Sequence, residues 1–594
     1  MFDLTYAESL ARQYYRLEAK AKALPGEIDL NFRLREKEGL EYILKIAGPA
    51  EKAEMLELQN AVLEHLAHQN VEGLQLPRLI QSTEGKAITE LDQHHSKRLM
   101  RLLSWVPGQL WAAVKPHSPQ LLRSLGAACA KLCGAMQGFE HPAAHRWYKW
   151  DLAKADWIEA YLHHFAAEEQ RIVGDFLHQF KQRVLPQISQ LRHSVNHNDA
   201  NDFNILVDTK AQKVVGLIDF GDVLYTPTIN DLAITIAYAA MHKADPLRAA
   251  MSVVEGFHEG FPLLEEELAL IYTLVAARLC TTVTVAAINK AKEPENAYLQ
   301  ISEQAAWDLL HKWKAISPQY AYYAFRQACG WPPNPHTSDI LDYLAQQSFA
   351  PIMGIDLAKH QGHYLDLSVG SLELGNNPNF EDTQLFDRLI SDRLRDTAAD
   401  YGIGAYDEVR PLYTTDAYAQ IGNEGPEWRT IHLGLDVFMP AGQPVYSPLE
   451  GMVYSIQDNA MDRDYGPTII LEHQTDKGLP FYSLYGHLDK GCLDQLKTGD
   501  WVAKGQEIAL LGAVHENGGW PPHLHLQLIT DILGQKGNFP GVANPALGSL
   551  WRSLCPDPSL LLALAPQKEL SLTTAQLLQR RKEHLGPNLS LSYR

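Results

Sequence analysis

The spacing of apolar and polar positions divides this chain into stretches of different character. In the first hundred residues strand and helix patterns alternate. Ile28 to Arg35 and Glu41 to Ala47 read as strands about a turn at Lys37-Glu38-Gly39, Glu51 to His68 has a helical period, and Arg98 to Trp105 reads as a further strand. From Ser118 to about Cys329 the pattern is mostly helical, broken by a hairpin with arms Phe203 to Asp208 and Val214 to Asp219. Pairing across its turn brings Asn204 to the Asp219 end. The tract Gly330-Trp331-Pro332-Pro333-Asn334-Pro335 marks a boundary. Between residues 411 and about 545 short alternating strands and many glycines replace the helices, which is an all-β signature. Gln567 to Gly586 predicts a closing helix.

Length and charge narrow the classes of function. At 594 residues the chain holds more than one core, and its 46% hydrophobic and 21% charged content is that of a globular protein. A formal charge of −19 repels phosphate backbones and anionic lipid, which argues against nucleic-acid and membrane-surface roles. Six scattered cysteines and an N-terminus without a basic region and apolar run lead to the expectation of a cytoplasmic protein. The longest apolar stretch, Leu268 to Ile288, carries Arg278 and is read as a buried helix rather than a membrane span. Cys129 and Cys133, four apart on an apolar helix, are read as core.

The hairpin region holds the first candidate chemistry. His197-Asn198-Asp199-Ala200-Asn201-Asp202-Phe203-Asn204 is followed by Ile218-Asp219-Phe220-Gly221-Asp222. Phosphoryl transfer needs a base at the attacking hydroxyl and oxygen ligands that hold magnesium against the nucleotide phosphates. Asp199 fits the base, and Asn204 and Asp219 fit the magnesium ligands. Lys45, the one charge in the apolar strand Tyr42-Ile43-Leu44-Lys45-Ile46, lies a short helix before Glu54 and Glu57. A lysine–glutamate pair grips nucleotide phosphates in kinases, and Glu57 is favoured as the partner, with Glu54 one turn away. Asp231 is read as a helix cap or loop brace rather than a catalytic group.

With the strand lysine and His141-Pro142-Ala143-Ala144-His145-Arg146 before Trp150-Asp151-Leu152, these motifs resemble the aminoglycoside phosphotransferase and choline kinase superfamily from about residue 20 to 330, most of all its hydroxylysine-kinase branch. The resemblance implies a two-lobed protein-kinase-like α+β fold, ATP or GTP as phosphate donor, and a purine-facing hinge at Ser104-Trp105-Val106. It also implies a small acceptor that carries a hydroxyl and an amino group, an amino alcohol or a hydroxylysine-like metabolite. Asp202, Asp222 and Asp151 are candidates to hold its ammonium. Asn198 stands where many relatives carry glycine. No G-x-G-x-x-G is present; Pro25-Gly26-Glu27-Ile28-Asp29-Leu30-Asn31-Phe32 occupies that place.

A second constellation lies further on. In His432-Leu433-Gly434-Leu435-Asp436 a strand projects His432 and Asp436 from one face, and Gly434 leaves room for an ion. His523-Leu524-His525-Leu526-Gln527-Leu528 repeats the device, and His487 adds a further imidazole. Catalytic zinc favours three nitrogen or oxygen ligands and an open fourth position. Residues 411 to 545 resemble the lysostaphin-type zinc metallopeptidases. That resemblance implies His432, Asp436 and His525 as zinc ligands and His487 with His523 as the non-ligand catalytic pair. Whether such a domain, expected in the cytoplasm, hydrolyses an amide or only holds zinc is open in the sequence. A binding or scaffold protein without turnover in one or both domains is the alternative reading.

The expected layout is multidomain. A kinase N-lobe and hinge spans 1–108, a helical C-lobe 109–335, a linker or intermediate region 336–410, a mostly-β zinc metallopeptidase-like domain 411–560, and a C-terminal helix and tail 561–594. The last residues, Glu583 to Arg594, resemble the entry to class III aminotransferases, which implies a possible downstream domain of that kind.

Overall fold

The computed structural model describes residues 3–26, 29–93, 96–292, 303–371, 374, 377–564, 575 and 579. The chain divides into two compact units between Trp331 and Pro332. Of the closing helix expected at 567–586 only residues 575 and 579 are described, and Glu583 to Arg594 lies outside the described residues.

The first unit begins with a six-stranded antiparallel sheet, built along the path Ala19–Leu24, Leu30–Glu36, Glu41–Ile46, Ser96–Ser104 and Leu79–Ile80, with Thr89–Gln93 also paired to Ser96–Ser104. Alternation gives the sheet two unlike faces. Phe32, Leu34, Leu44, Ile46, Met100 and Leu102 pack against the apolar stripe Ala7, Leu10, Ala11 and Tyr15 of the helix Leu4–Tyr15. The opposite face carries Lys45 and Arg101, which are direct cross-strand partners. The first helix and first strand were not predicted. Ala19–Leu24 reads Ala-Lys-Ala-Lys-Ala-Leu, an edge strand whose alanines and lysines carry almost no strand propensity.

After the strand Ser96–Ser104 the chain turns helical. The hairpin forms between Ile205–Asp208 and Lys213–Leu217, with Ile205 opposite Leu217, and Ile218 N–H donates to Asn204 O at 2.9 Å. The helix Ile271–Lys292 is long and apolar enough to cross a membrane, but 89% of its apolar window is buried within the unit. It is the spine of the helical lobe, touching the helices Ile229–Ala240 and Glu303–Lys314. This is the two-lobed α+β arrangement expected.

The second unit is built on an eight-stranded sheet. In order it contains Gly362–Leu365, Tyr401–Gly404, Leu435–Phe438, His523–Ile529, Pro480–Gly486, Gly466–Gln474, Gly451–Asn459 and Trp501–Val502. Only the first pair is parallel. The mostly-β expectation holds, but the expected linker at 336–410 does not. That stretch supplies the first two strands and the helices Thr337–Leu344 and Thr383–Asp396, and its Ile340, Leu344, Ile352 and Met353 lie in the main core. Four-residue strands such as Tyr-Gly-Ile-Gly are too short and glycine-rich to show a period, so their pairing is decided by distant partners.

Two helices of the first unit, Pro119–Ala135 and Pro246–Gly260, interlock through one glycine each. A Cβ at Gly126 would sit 1.9 Å from Val253 O, and one at Gly256 1.9 Å from Arg123 O. Gly126→Val is therefore expected to destabilise the first unit by about 1–3 kcal/mol through overpacking. An unmoved thermal transition of that unit in the full chain would refute the interlock.

Candidate functional site

The first site forms where the hairpin meets the sheet. Its loop is held from below by Asp231, whose carboxylate accepts the backbone N–H of His197 at 3.0 Å and of Asn198 at 2.7 Å. Asp231 is thus the loop brace expected; as the third residue of Ile229–Ala240 it is not the cap. Asn198 sits at φ +64°, a left-handed turn that asparagine tolerates better than most residues, where glycine would be unstrained. His197 is buried. Its Nε2 donates to Ile218 O at 3.1 Å, which leaves Nδ1 to accept the Asp199 N–H at 3.3 Å.

Asp199 is the hub. Its Oδ2 accepts from Asn204 Nδ2 and Asn201 Nδ2, each at 2.8 Å, and its Oδ1 faces Arg278 Nη2 at 3.0 Å. Burial, reinforced by Asp222, lifts its carboxyl to about 8 against the pull of Arg278. Because the Asn204 amide nitrogen is turned to Asp199, its oxygen is left for another partner. Asp219 follows at φ +61°, with Oδ1 accepting the Gly221 N–H at 3.1 Å and lying 3.5 Å from Lys45 Nζ. Lys45 holds the Asp219 carboxyl below its ordinary value.

Glu57 is not brought to this cleft, and the expected Lys45–Glu57 pair is corrected. The helix Ala53–Gln69 buries Leu56, Gln59, Asn60 and Leu63, which puts Glu57 on the solvent face; Glu54 is exposed beside Lys52. Lys45 instead faces Asp219 and, at 3.7 Å, Asp29. The buried cation that reaches the helix is Arg101, bonded to Gln59 Oε1 and, at 3.1 Å, to Asn60 Oδ1. Arg101 was missed because a charge on a strand ordinarily reads as surface. At the expected hinge, Ser104 N–H donates to Arg78 O at 2.8 Å and Trp105 N–H to Glu41 O at 3.1 Å; Val106 is buried. The Arg33 guanidinium lies 4.2 Å over the Trp105 ring.

Three carboxylates were candidates for an acceptor's ammonium. Asp151 is already spent: its Oδ1 accepts from Thr226 Oγ1 at 2.6 Å and Ala153 N–H at 3.0 Å. Asp222 accepts the Tyr148 hydroxyl at 2.7 Å, and burial raises its carboxyl. Asp202 keeps a buried Oδ1 without a hydrogen-bond partner, and burial raises it too. Arg278 is the residue sequence reasoning undervalued. Its signal was an arginine in the middle of an apolar helix; it also bonds Tyr238 OH at 3.0 Å and lies 4.5 Å over Trp150.

The second site lies on the strands Ile431–His432, Leu435–Phe438 and His523–Ile529, with His487 following Pro480–Gly486. Four imidazoles share one wiring. His432 Nδ1 donates to Ala405 O at 2.9 Å, His487 Nδ1 to Asn517 O at 2.8 Å, His523 Nδ1 to Pro521 O at 2.6 Å, and His525 Nε2 to Gln527 Oε1 at 3.2 Å. Each outward N–H leaves an inward lone pair. His432 Nε2 and His525 Nδ1 thereby meet 3.0 Å apart as two acceptors, and Asp436 Oδ1 lies 3.3 and 3.1 Å from them. A tetrahedral zinc with bonds of about 2.0–2.1 Å has donor–donor edges of about 3.3–3.4 Å, so the donor set fits that ion.

Asp436 Oδ2 is held by Arg410 Nη1 at 2.6 Å, and Arg410 in turn by Glu408 at 2.7 Å. Burial alone would raise Asp436, but His432 and Arg410 keep it well below the usual range. His432 falls to about 4, and His487 and His523 are lowered as well, each mainly by burial. The space beside Gly434 differs from expectation. A Cβ there would lie 2.3 Å from His525 Cε1, so glycine admits the imidazole ring rather than the ion itself.

The first unit and its cleft define a small-molecule phosphotransferase, and the second unit a metallopeptidase-type domain. Residues 20–266 match the phosphotransferase enzyme family, and 430–537 match peptidase family M23. A hydroxylysine kinase of Danio rerio is 30% identical over 311 residues, covering 50% of this chain and 86% of its own length. One of Mus musculus is 29% identical over 340 residues, with 52% and 89% covered. Peptidoglycan DD-endopeptidase ShyA of Vibrio cholerae serotype O1 is 29% identical over 158 residues, 26% of this chain and 31% of its own length. The chain belongs to the phosphotransferase enzyme family through its first unit and carries an M23 domain in its second.

The wiring of His197 sets a pH dependence. Burial lowers its folded value to about 4, against about 6.5 in the unfolded chain. The unfolded chain therefore takes up this proton first, so His197 contributes a loss of stability as pH falls from about 6.5 to 4, opposite in sign to the contribution of the raised Asp199 and Asp231 carboxyls. The native-minus-variant difference in denaturant midpoint for His197→Gln should shrink as pH falls across that range; a difference that does not change with pH would remove His197 as a contributor.

Proposed function

We propose that the first unit moves the terminal phosphate of ATP or GTP to a hydroxyl of a small amino-containing metabolite, an amino alcohol or a hydroxylysine-like compound, in the cytoplasm. The observation that carries this is Asp199, fixed on one oxygen by two amides and on the other by Arg278. Its raised carboxyl suits a base that takes the acceptor's hydroxyl proton as the oxygen attacks phosphorus. Asn204, through its amide oxygen, and Asp219 would hold magnesium, which when bound spreads the negative charge of the phosphates. Lys45 would exchange its Asp219 contact for a phosphate, and Ser104, Trp105 and Val106 would face the purine. The unpartnered Asp202 oxygen would receive the ammonium, with Asp222 adding negative potential. Binding without turnover is the weaker reading, since a scaffold has no need of so costly a buried carboxylate.

For the second unit we infer zinc-dependent amide hydrolysis. Water adds its oxygen to the carbonyl carbon, the C–N bond breaks, and the amine leaves with a proton. His432, Asp436 and His525 would hold zinc, which when bound acidifies water and polarises a carbonyl. His487 and His523, whose rings lie 4.3 Å apart, would take and return the proton and steady the developing oxyanion.

Asp199→Asn is expected to slow phosphorylation of a responsive amino alcohol or hydroxylysine by about 10²–10⁴-fold with nucleotide binding retained; equal turnover, or no turnover by the native protein with any acceptor, would defeat the kinase reading. The purified full chain should bind one zinc that His432→Ala loses while the kinase keeps its rate. Zinc content unaltered by that substitution would defeat the metal assignment.

A further inference from the structure

The five groups of the zinc-type centre are almost solvent-free: His432 and Asp436 are 2% exposed, His525 3%, His523 4% and His487 5%. Part of what covers them comes from the stretch expected as a linker. Leu367 and Phe386 line the cavity over the centre together with Tyr413, Tyr418, Arg463 and Trp520. Leu365, Leu367, Phe380, Phe386 and Ile390 form one apolar cluster with Phe438, Trp520 and Val542 of the catalytic wall.

The cover is also clipped in place. One nitrogen of Arg463 donates to the carbonyl oxygens of Phe380 at 2.8 Å and Glu381 at 3.0 Å, just before the helix Thr383–Asp396. The same guanidinium stacks 4.7 Å over Trp520, whose ring is 6.2 Å from that of His487. Tyr418 OH donates to Arg463 O at 2.5 Å from the other side. What remains over the centre is a cavity of about 130 Å³, well below the roughly 300–1,000 Å³ of a pocket for a drug-sized ligand.

We infer that the second unit takes small amides, an acyl group of about one residue presented end-on, and excludes a polymer lying across the centre. This rests on the zinc hydrolase reading above and narrows its substrate class. It sets the domain apart from its ShyA relative, whose printed name is that of a peptidoglycan endopeptidase. Phe386 and Arg463 would be the residues that set the size limit, acting on access rather than on the reacting atoms.

The test loads the full chain with cobalt(II) in place of zinc and reads the visible absorption of the metal as two probes are added. Acetohydroxamate and a tetrapeptide hydroxamate present the same metal-binding group on a small and a large body. The native protein should bind acetohydroxamate at least 30-fold more tightly than the peptide probe, and Phe386→Ala and Arg463→Met should each bring the two within about threefold. A native protein that binds both equally, or that digests cross-linked peptidoglycan, would overturn the inference while leaving zinc hydrolysis standing. A chain that takes up no cobalt would sink both. Since the native protein alone supplies the first comparison, a variant that fails to fold does not remove the test.

Discussion

One buried carboxylate carries the phosphotransfer cleft. Asp231 accepts two successive backbone N–H groups, and that pair of bonds holds the loop through its left-handed residue at Asn198. His197 then spans from Ile218 O to the Asp199 N–H, and Ile218 returns its own N–H to Asn204. The base candidate, the amide and the strand end that leads into Asp219 are therefore positioned by one chain of bonds. Burying Asp231 is costly, and burial lifts its carboxyl to about 6 despite the two N–H donors. The loop geometry offsets that cost because two buried N–H groups would otherwise be unsatisfied.

The second unit solves the same problem without a single anchor. Its four imidazoles are each tied outward to a carbonyl or an amide, and the inward lone pairs follow from that. Asp436 shares one oxygen with the centre and gives the other to Arg410, whose charge is balanced by Glu408. The contact of two acceptors at 3.0 Å is unfavourable by itself and becomes favourable only around a cation. Donor atoms held in advance at nearly tetrahedral edges would also reduce the ordering cost of binding the proposed metal.

Much of the first site was legible because its residues are close in sequence and tied to a hairpin. Asn204 and Asp219 could be placed together from strand pairing, and Asp199 stands only five residues before Asn204. The partner of Lys45 could not. Which face of the helix Ala53–Gln69 meets the sheet is fixed by packing, and packing turned Glu57 outward and gave the inner face to Gln59 and Asn60. Asp151 shows the same limit: it was a candidate to hold the acceptor's ammonium, but Thr226, far along the chain, occupies it.

The chain by itself determined the chemistry on offer. Periodicity, the order of acidic and amide groups about a hairpin, and histidines alternating with leucines depend on local geometry, and local geometry survives in a one-dimensional reading. Tertiary structure decided which of those groups meet, and what else reaches them. Arg278 reaches Asp199 from a helix 79 residues away, Arg410 reaches Asp436 across 26, and a stretch without visible period became two strands of a sheet and part of the cover of the proposed metal site. Those contacts are set by burial of apolar surface over long sequence separations, which no local pattern encodes.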